Sequence, residues 1–281
     1  MVHILIDSTS DLTREEAASW GITVAPLTVR FGSTEYQDGV DLTPPVFFRK
    51  LEESKVVPVT SQVNSGVFME LYKSLLQNRE DEILGIFLSS RLSGTYQSAR
   101  IARNTFPRRS IHLVDSGTAS LGAFLLIREA VRLRDQGLSA GEIAGELNRL
   151  KGRVRILAAL ESLKYLLKGG RLPAASAIVG TLLHVKPILS VRDGNVDVAK
   201  KVRGNLAAYQ WMAGELSEKG YDPRYTPQLG STQCPVLLDT FRQKLRDQGL
   251  DIAQWGHTDV GVVIGTHTGP GCVGVAYIEK E

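Results

Sequence analysis

The residues best suited to ligand chemistry lie in the loop 88–95, whose sequence is Leu-Ser-Ser-Arg-Leu-Ser-Gly-Thr. This loop follows an apolar run at 83–88 and precedes a helix-like segment at 96–102. Backbone N–H groups at a helix start lack partners within the helix and face the positive end of its dipole, so they bind anions. Hydroxyl groups add hydrogen-bond donors without fixed charge. The loop therefore predicts a site for a small carboxylate or phosphate, and Gly94 would let the ligand approach the backbone.

Two further hydroxyl-rich loops occur in the first half of the chain, each after a predicted strand. They are Ser8-Thr9-Ser10 and Thr60-Ser61. Ligands of parallel α/β sheets gather beyond the carboxyl ends of the strands, so we expect the three loops to surround one anion. Ser and Thr also cap helices, and this structural role stays an alternative for each loop taken singly.

A second candidate is the segment 265–271, Gly-Thr-His-Thr-Gly-Pro-Gly, which we expect to be a turn between apolar strands at 259–266 and 273–279. Neutral imidazole donates one hydrogen bond and accepts another, so His267 can orient a hydroxyl or bind a carboxylate. Arg171 follows a glycine pair and can swing over an anion. The alternatives are a solvent-exposed turn histidine and an ordinary surface arginine, since glycines commonly end helices.

The same residues leave a hydrolytic function open. Ser93 and His267 can be a nucleophile and a base, with Asp7 or Asp115 as the orienting acid. The sequence Ser-Arg-Leu-Ser-Gly, however, departs from the Gly-x-Ser-x-Gly elbow of serine hydrolases. The chain also lacks a Walker lysine pattern and a GxGxxG fingerprint, which disfavours a P-loop NTPase and a dinucleotide enzyme.

Composition narrows the class of protein. The 281 residues are 43% hydrophobic and 22% charged, which is typical of a globular protein with one large or two ordinary domains. A net charge of +3, spread along the chain, disfavours a nucleic-acid-binding regulator. Cys234 and Cys272 lack metal-ligand spacing, so we expect buried free thiols and neither a metal nor a cofactor. The start of the chain reads as a strand rather than a signal peptide, and we expect a cytoplasmic protein.

The order of elements predicts an α/β fold. The first half alternates strands with helices, which indicates a mostly parallel sheet covered on both faces. It includes a predicted strand at 22–29 and capping boxes at 13–16 and 139–142. The second half has a hairpin signal at 193–195 and a predicted helix at 173–183, which favours an α+β domain. We place the domain boundary near residue 152.

Taken together, the motifs of this chain resemble those of the DegV family, the bacterial fatty-acid-binding proteins. The resemblance spans nearly the whole chain, in the family's order. It rests on six stretches, namely Asp7-Ser8-Thr9-Ser10-Asp11-Leu12, Thr60-Ser61-Gln62, the loop from Leu88 to Tyr96, Val114-Asp115-Ser116, Lys168-Gly169-Gly170-Arg171 and the histidine segment 265–271. Two positions depart from the family pattern: Val63 stands where Pro is usual, and Gly204 follows Arg203 where Thr is usual.

The resemblance implies two domains, 1–152 and 153–281, with a long-chain fatty acid held between them. It implies that Thr60 and Ser93, with Ser61 and Gly94 beside them, bind the carboxylate. His267 would complete this network, and Arg171 would lie at the mouth of the site. Apolar segments at 156–160 and 174–183 are candidates for lining the acyl chain, or for ordinary core.

The resemblance also implies how the protein works. Members of the FakB type present their fatty acid to a separate fatty acid kinase, which phosphorylates the carboxylate to an acyl phosphate. The binding protein is then a carrier without turnover of its own. Its partners would be the fatty acid, the kinase and, transiently, a membrane, but no nucleic acid.

Overall fold

The computed structural model of the protein describes residues 1–54, 56–172 and 185–281. In chain order its strands are β1 (Val2–Asp7), β2 (Ile22–Ala25), β3 (Thr28–Phe31), β4 (Thr34–Gln37), β5 (Val59–Ser61), β6 (Glu82–Phe87), β7 (Ser110–Asp115), β8 (Val154–Ala159), β9 (Val185–Arg192), β10 (Asn195–Arg203), β11 (Gln228–Ser231), β12 (Gly256–Asp259) and β13 (Val273–Ile278). Its α-helices are α1 (Arg14–Ser19), α2 (Pro44–Glu53), α3 (Ser65–Leu75), α4 (Thr95–Arg103), α5 (Leu121–Asp135), α6 (Ala140–Leu150), α7 (Lys164–Lys168), α8 (Asn205–Lys219), α9 (Pro235–Asp247) and α10 (Val262–Thr268).

The first sheet is parallel, with the strand order β2-β1-β6-β7. Its inner strands are apolar runs buried on both faces, which is what helix layers on both sides require. Helices α5 and α6 cover one face, and α2, α3 and α4 pack on the other. Both predicted capping boxes are present, at Thr13 with Glu16 and at Ser139 with Glu142. The prediction of a parallel α/β sheet in the first half is confirmed.

The predicted strand at 22–29 is wrong as a single element, because the chain changes sheets within it. β2 pairs with β1, whereas β3 joins an antiparallel three-stranded sheet with the order β4-β3-β5. Pro26 lies between β2 and β3 and has no N–H to donate to a ladder. The break matters for function because β5, the neighbour of β3 at one edge of this small sheet, carries Thr60 and Ser61.

The second half contains a six-stranded mixed sheet with the order β10-β9-β8-β13-β11-β12. The predicted hairpin is confirmed: Asp193 and Gly194 turn between β9 and β10 with φ angles of 49° and 78°. Helices α8 and α9 pack on one face of the sheet. The opposite face contributes Ile156 and Ala276 to the core that α5 shares with the parallel sheet. Because α5 packs against both sheets, the boundary near residue 152 stays a prediction.

The predicted strand at 259–266 is also wrong. The structure has the strand β12 before it and the helix α10 over Val262–Thr268. A short apolar run suits a buried strand as well as a helix, so periodicity alone does not separate the two. In the helix, the hydroxyls of Thr266 and Thr268 donate to the carbonyls four residues earlier, at 2.9 and 3.1 Å.

β11, with the sequence Gln-Leu-Gly-Ser, was missed because it has no β-branched or aromatic residue. The predicted helix at 173–183 lies outside the described residues. Across the described part of the chain, no helix combines the length and the apolar character that a membrane span requires.

Candidate functional site

A cavity lies between the six-stranded sheet and the loops of the first half. Most of its wall is apolar. The apolar lining side chains are Leu27, Leu88, Leu92, Ala119, Leu121, Ile156, Ala158, Leu166, Leu189, Val191, Val196, Val260, Val263, Ile264 and Cys272. Its polar lining side chains are Thr60, Ser61, Gln62, Ser93, Ser120, Arg171, His267 and Thr268. The structure therefore brings five of the six predicted site residues to one cavity.

One wall of the cavity is built from small residues on neighbouring strands. Gly230 pairs with Gly274, and Gly274 pairs in turn with Ala158, so the row crosses β11, β13 and β8. Leu121 of α5 packs over Gly230, where a Cβ would lie 2.6 Å from Leu121 Cδ2, whereas a Cβ on Gly274 would meet only atoms of the neighbouring strand β8. The wall at Gly274 and Ala158 therefore has room for an apolar ligand. Within the predicted lining segment 156–160, Ile156 and Ala158 line the cavity. The alternate residues Leu157 and Ala159 pack on the opposite face of the sheet, against α8 and α9.

His267 and Thr60 form the polar centre of the cavity. His267 Nε2 lies 3.0 Å from Thr60 Oγ1, which joins the last turn of α10 to β5. Burial, which removes water from the imidazolium, and the nearby Arg171 charge together lower the pKa of His267 to about 4. The imidazole is therefore neutral at physiological pH. It lies at the end of a helix, not in the expected turn between two strands.

Gly169 packs directly against the imidazole. His267 Nδ1 is buried without a hydrogen-bond partner, and a Cβ on Gly169 would collide with this atom. Gly169 has a φ of −76°, which any residue adopts, so it is the space and not the backbone conformation that calls for glycine here. Its neighbour Gly170, with a φ of +68°, is the residue that needs the left-handed conformation.

Ser93 lies just before α4 and faces the cavity. Its Oγ is 3.0 Å from Thr95 Oγ1 and accepts from the Thr95 N–H at 3.3 Å. Gly94, in contrast, is not among the residues that line the cavity, and its contact with a ligand stays a prediction. The amide of Gln62 fills the space beside it, and a Cβ on Gly94 would lie 2.8 Å from Gln62 Cδ.

Gln62 is a site residue to which we assigned no role from the sequence. Its Nε2 donates to Ser98 Oγ at 2.9 Å, which ties the end of β5 to the first turns of α4. It also lines the cavity beside Thr60 and Ser61. The position of Gln62 directly after the hydroxyl pair was the only signal in the sequence.

Arg171 lies beside the loop 88–95 and contacts the backbone; its predicted place at the mouth of a ligand site stays a prediction. Its Nε donates to the Leu92 carbonyl at 3.1 Å and its Nη1 to the Gly169 carbonyl at 2.6 Å. These carbonyls do not neutralise the guanidinium, so the cavity has a positive charge at its edge. This charge complements an anionic ligand.

The loop 8–10 does not join the site, so the expectation that all three hydroxyl-rich loops surround one ligand is wrong. Thr9 Oγ1 donates to Asp7 Oδ1 at 2.5 Å, and Ser8 Oγ accepts from the Leu27 N–H at 3.1 Å. These hydroxyls satisfy backbone and carboxyl groups of the fold, which is the structural alternative considered for each loop.

The geometry of a serine hydrolase is not assembled. Within the described chain, no hydrogen bond joins Ser93 with His267, and none joins His267 with a carboxyl group. Asp7 accepts from the Leu88 N–H at 2.8 Å, and Asp115 accepts from the Ser90 and Gly117 N–H groups at 3.2 and 3.0 Å. Both candidate acids therefore support loops and do not orient an imidazole. Both cysteines are free thiols; Cys272 is buried as expected, whereas Cys234 is only half-buried.

Comparison with known proteins places this site in a family. The profile described as "Uncharacterised protein, DegV family" matches residues 1–280. A DegV domain-containing protein from Caldanaerobacter subterraneus subsp. tengcongensis is 36% identical over 280 residues, which cover 99% of both chains.

Solved structures share the whole fold. One describes the fatty acid binding of a DegV family protein from Thermus thermophilus; it is 31% identical, with a TM-score of 0.87 over 99% of both chains. Another, a stearic acid-binding protein from Eubacterium ventriosum, is 26% identical, with a TM-score of 0.88 over 100% of this chain and 99% of that one. Both the sequence match and the shared fold extend from the first strand to the last, and the chain therefore belongs to the DegV family.

Proposed function

We propose that this protein binds one long-chain fatty acid, with the carboxylate at Thr60, Ser93 and His267 and the acyl chain in the apolar cavity. The observation that carries the proposal is the cavity itself, which joins a small cluster of hydrogen-bonding groups to a long apolar wall. The fatty acids bound by the related proteins from Thermus thermophilus and Eubacterium ventriosum support the same ligand class.

The polar cluster suits a carboxylate. A buried carboxylate without hydrogen bonds is costly, so the head group needs several donors. The hydroxyls of Thr60, Ser61 and Ser93 supply donors without charge. Neutral His267 would donate from Nε2 to Thr60 Oγ1, which leaves the Thr60 hydroxyl free to donate to the ligand. Arg171 would lie at the mouth of the site and add a favourable charge. The head group would thus be held by hydrogen bonds, with one cation at the edge.

The apolar wall suits an acyl chain. Burying a methylene group contributes about 0.8 kcal/mol, so a long chain supplies most of the binding free energy. The small residues Gly274 and Ala158 on this wall leave room beside the sheet for such a chain. In this arrangement the ligand would lie between the segments 1–152 and 153–281.

We further propose that the protein is a carrier without its own turnover, and that it presents the fatty acid to a separate kinase for acyl-phosphate formation. Hydroxyl and imidazole donors hold a carboxylate without enclosing it in a bidentate clamp, which leaves an oxygen open to a phosphoryl donor. The unassembled triad supports the non-catalytic role. Incubation of loaded protein with ATP and a purified fatty acid kinase should form acyl phosphate, and the protein with ATP alone should form none.

The binding proposal is tested with delipidated protein. We expect a long-chain fatty acid to bind more tightly than the alcohol of the same chain length, because only the acid presents an anion to the polar cluster. Ser93→Ala should weaken binding of the acid, by about 1 kcal/mol for one lost hydrogen bond. Ser74→Ala, at an exposed position of α3, is the matched control and should leave the Kd unchanged. Absence of binding, or equal Kd values for acid and alcohol, would contradict the proposal.

A further inference from the structure

Three carboxyl groups are buried together next to the cavity. Asp7, Asp11 and Asp38 are 2%, 6% and 5% exposed. They come from the end of β1, the loop after it and the loop after β4. No Lys, Arg or His of the described residues forms an ion pair or hydrogen bond with any of them. Buried acids without a cation are costly, so their arrangement calls for a physical reason.

Two of these acids lie at the N-terminus of α10. The residue before this helix is Gly261, which has no side chain to cap it. Asp38 Oδ1 accepts from the Val262 N–H at 3.3 Å. Asp11 Oδ1 lies against Gly261, where a Cβ would be 2.8 Å from it. Two loops that are distant in sequence therefore supply the carboxyl groups that a helix N-terminus favours.

The other end of α10 carries the head-group histidine. The helix spans seven residues, which is about 10 Å. A movement of its N-terminus should therefore move His267 by a similar distance. The helix also packs closely on α2, where a Cβ on Gly265 would lie 2.7 Å from the Phe48 ring. Asp11 is also connected to the cavity through Ser120, which donates a hydrogen bond to Asp11 and lines the cavity wall.

We propose that Asp11 and Asp38 are positioning residues for ligand binding: one of them stays protonated, and together they hold the N-terminus of α10 so that His267 stays against Thr60. The proposal rests on the proposed fatty-acid site and names a control on that site which the family resemblance did not suggest.

The charges around the pair support a retained proton. Burial raises the pKa of Asp11 well above its usual range, and the charges of Asp38 and Asp7 add to the rise, against the hydrogen bond from Ser120. Burial also raises the pKa of Asp38 to about 6, opposed by hydrogen bonds from Ser8 and from the N–H groups at the start of α10. The other titratable group facing Asp11 is the buried Cys272 thiol. The Gly261 N–H also opposes the rise at Asp11, but neither Asp11 Oδ1 nor Asp38 Oδ2 has a hydrogen-bond partner of good geometry among the described residues.

The sign of the pH effect follows from these shifts. Both carboxyl groups hold protons in the folded protein at a pH where the unfolded chain has lost them. Raising the pH ionises the second carboxyl, and two like charges then repel each other beneath α10. The N-terminus of α10 loosens, and His267 moves away from Thr60. Fatty-acid affinity should therefore fall on the alkaline side.

Two readouts test this on the full-length protein. The first is the Kd for a long-chain fatty acid measured over a wide pH range, where we expect the wild type to lose affinity by about tenfold as the pH rises through the ionisation of the second carboxyl group. Asp11→Asn replaces the titrating carboxyl group with an amide of similar shape, so the Kd of this variant should vary less than about twofold over the same pH range. Asp197→Asn, at an exposed position of β10, is the control and should behave as the wild type.

The second readout needs no ligand. The NMR signals of the His267 ring should shift over the same pH range in which the Kd changes, well above the pKa of about 4 to which burial lowers the imidazole itself. The shift should be absent in Asp11→Asn. An unmoved ring signal in the wild type, or the same pH profile in Asp11→Asn, would overturn the proposal even if fatty acid binds. Failure of the wild type to bind fatty acid at any pH would instead overturn the proposed function.

Discussion

The substitution Gly169→Ala tests whether the imidazole position controls ligand binding. A methyl group at this site would lie 2.7 Å from His267 Cε1 and closer still to Nδ1, whereas ordinary contacts begin at 3.4 Å. The backbone is not strained, because φ is −76°. The ring must therefore move by about 1 Å to reach an ordinary contact distance. Such a shift is large enough to disrupt the 3.0 Å hydrogen bond between Nε2 and Thr60 Oγ1, which depends on both distance and angle.

The magnitude follows from these distances. Losing the hydrogen bond costs about 1 kcal/mol, and crowding the site costs a further 1–3 kcal/mol, roughly, in unfolding free energy. The displaced ring also loses its contact with the carboxylate. We therefore expect the Kd for a long-chain fatty acid to rise about five- to tenfold, which corresponds to about 1–1.4 kcal/mol.

The assay compares fatty-acid Kd and urea unfolding of Gly169→Ala with those of Gly170→Ala. Gly170 has a φ of +68° and no atom within 4 Å of a Cβ. Alanine there should cost about 1–2 kcal/mol of stability through backbone strain and leave the Kd unchanged. An unchanged Kd in Gly169→Ala, with the His267 ring signals unmoved, would refute the reasoning.

Three further predictions concern the tail, the fold and the histidine. Gly274→Val should shift the bound lipids toward shorter acyl chains, because the new side chain would project from the small-residue part of the cavity wall. Mass spectrometry of lipid extracts measures this shift, and an unchanged chain-length distribution would argue against that path for the acyl chain. Ser139→Ala should lower the unfolding free energy by about 1 kcal/mol in a denaturant titration, because it removes the capping box of α6, and should leave the fatty-acid Kd unchanged. The pKa of His267 is lowered to about 4, so His267 takes up a proton at higher pH in the unfolded chain than in the folded one. The unfolding free energy of the wild type should therefore fall more between about pH 6.5 and pH 4 than that of His267→Gln. Equal losses in the two proteins would contradict a neutral buried imidazole.

Local sequence signals predicted much of the framework. Capping boxes, the Asp193-Gly194 turn and the apolar runs of the parallel strands each depend on a few neighbouring residues, and each was confirmed. Thr60, Ser93 and His267 were selected as hydrogen-bonding residues in glycine-containing or hydroxyl-rich segments, and the structure brings all three to one cavity. Their role in holding a carboxylate stays a prediction.

The features that escaped prediction depend on long-range packing. The run at 259–266 became a helix because its neighbours are α2, α7 and the small sheet, which no local pattern specifies. Gly94 was assigned to the ligand, whereas its space is taken by Gln62, 32 residues earlier in the chain. The capping of α10 by Asp38 joins residues 224 positions apart, and only the folded chain reveals it.

The central claim, that this chain holds a long-chain fatty acid in the cavity, is tested most directly by identifying the lipid that accompanies the purified protein. Organic extraction followed by mass spectrometry should yield a long-chain fatty acid in stoichiometric amount. An extract without fatty acid, together with a delipidated protein that takes up none, would contradict the account.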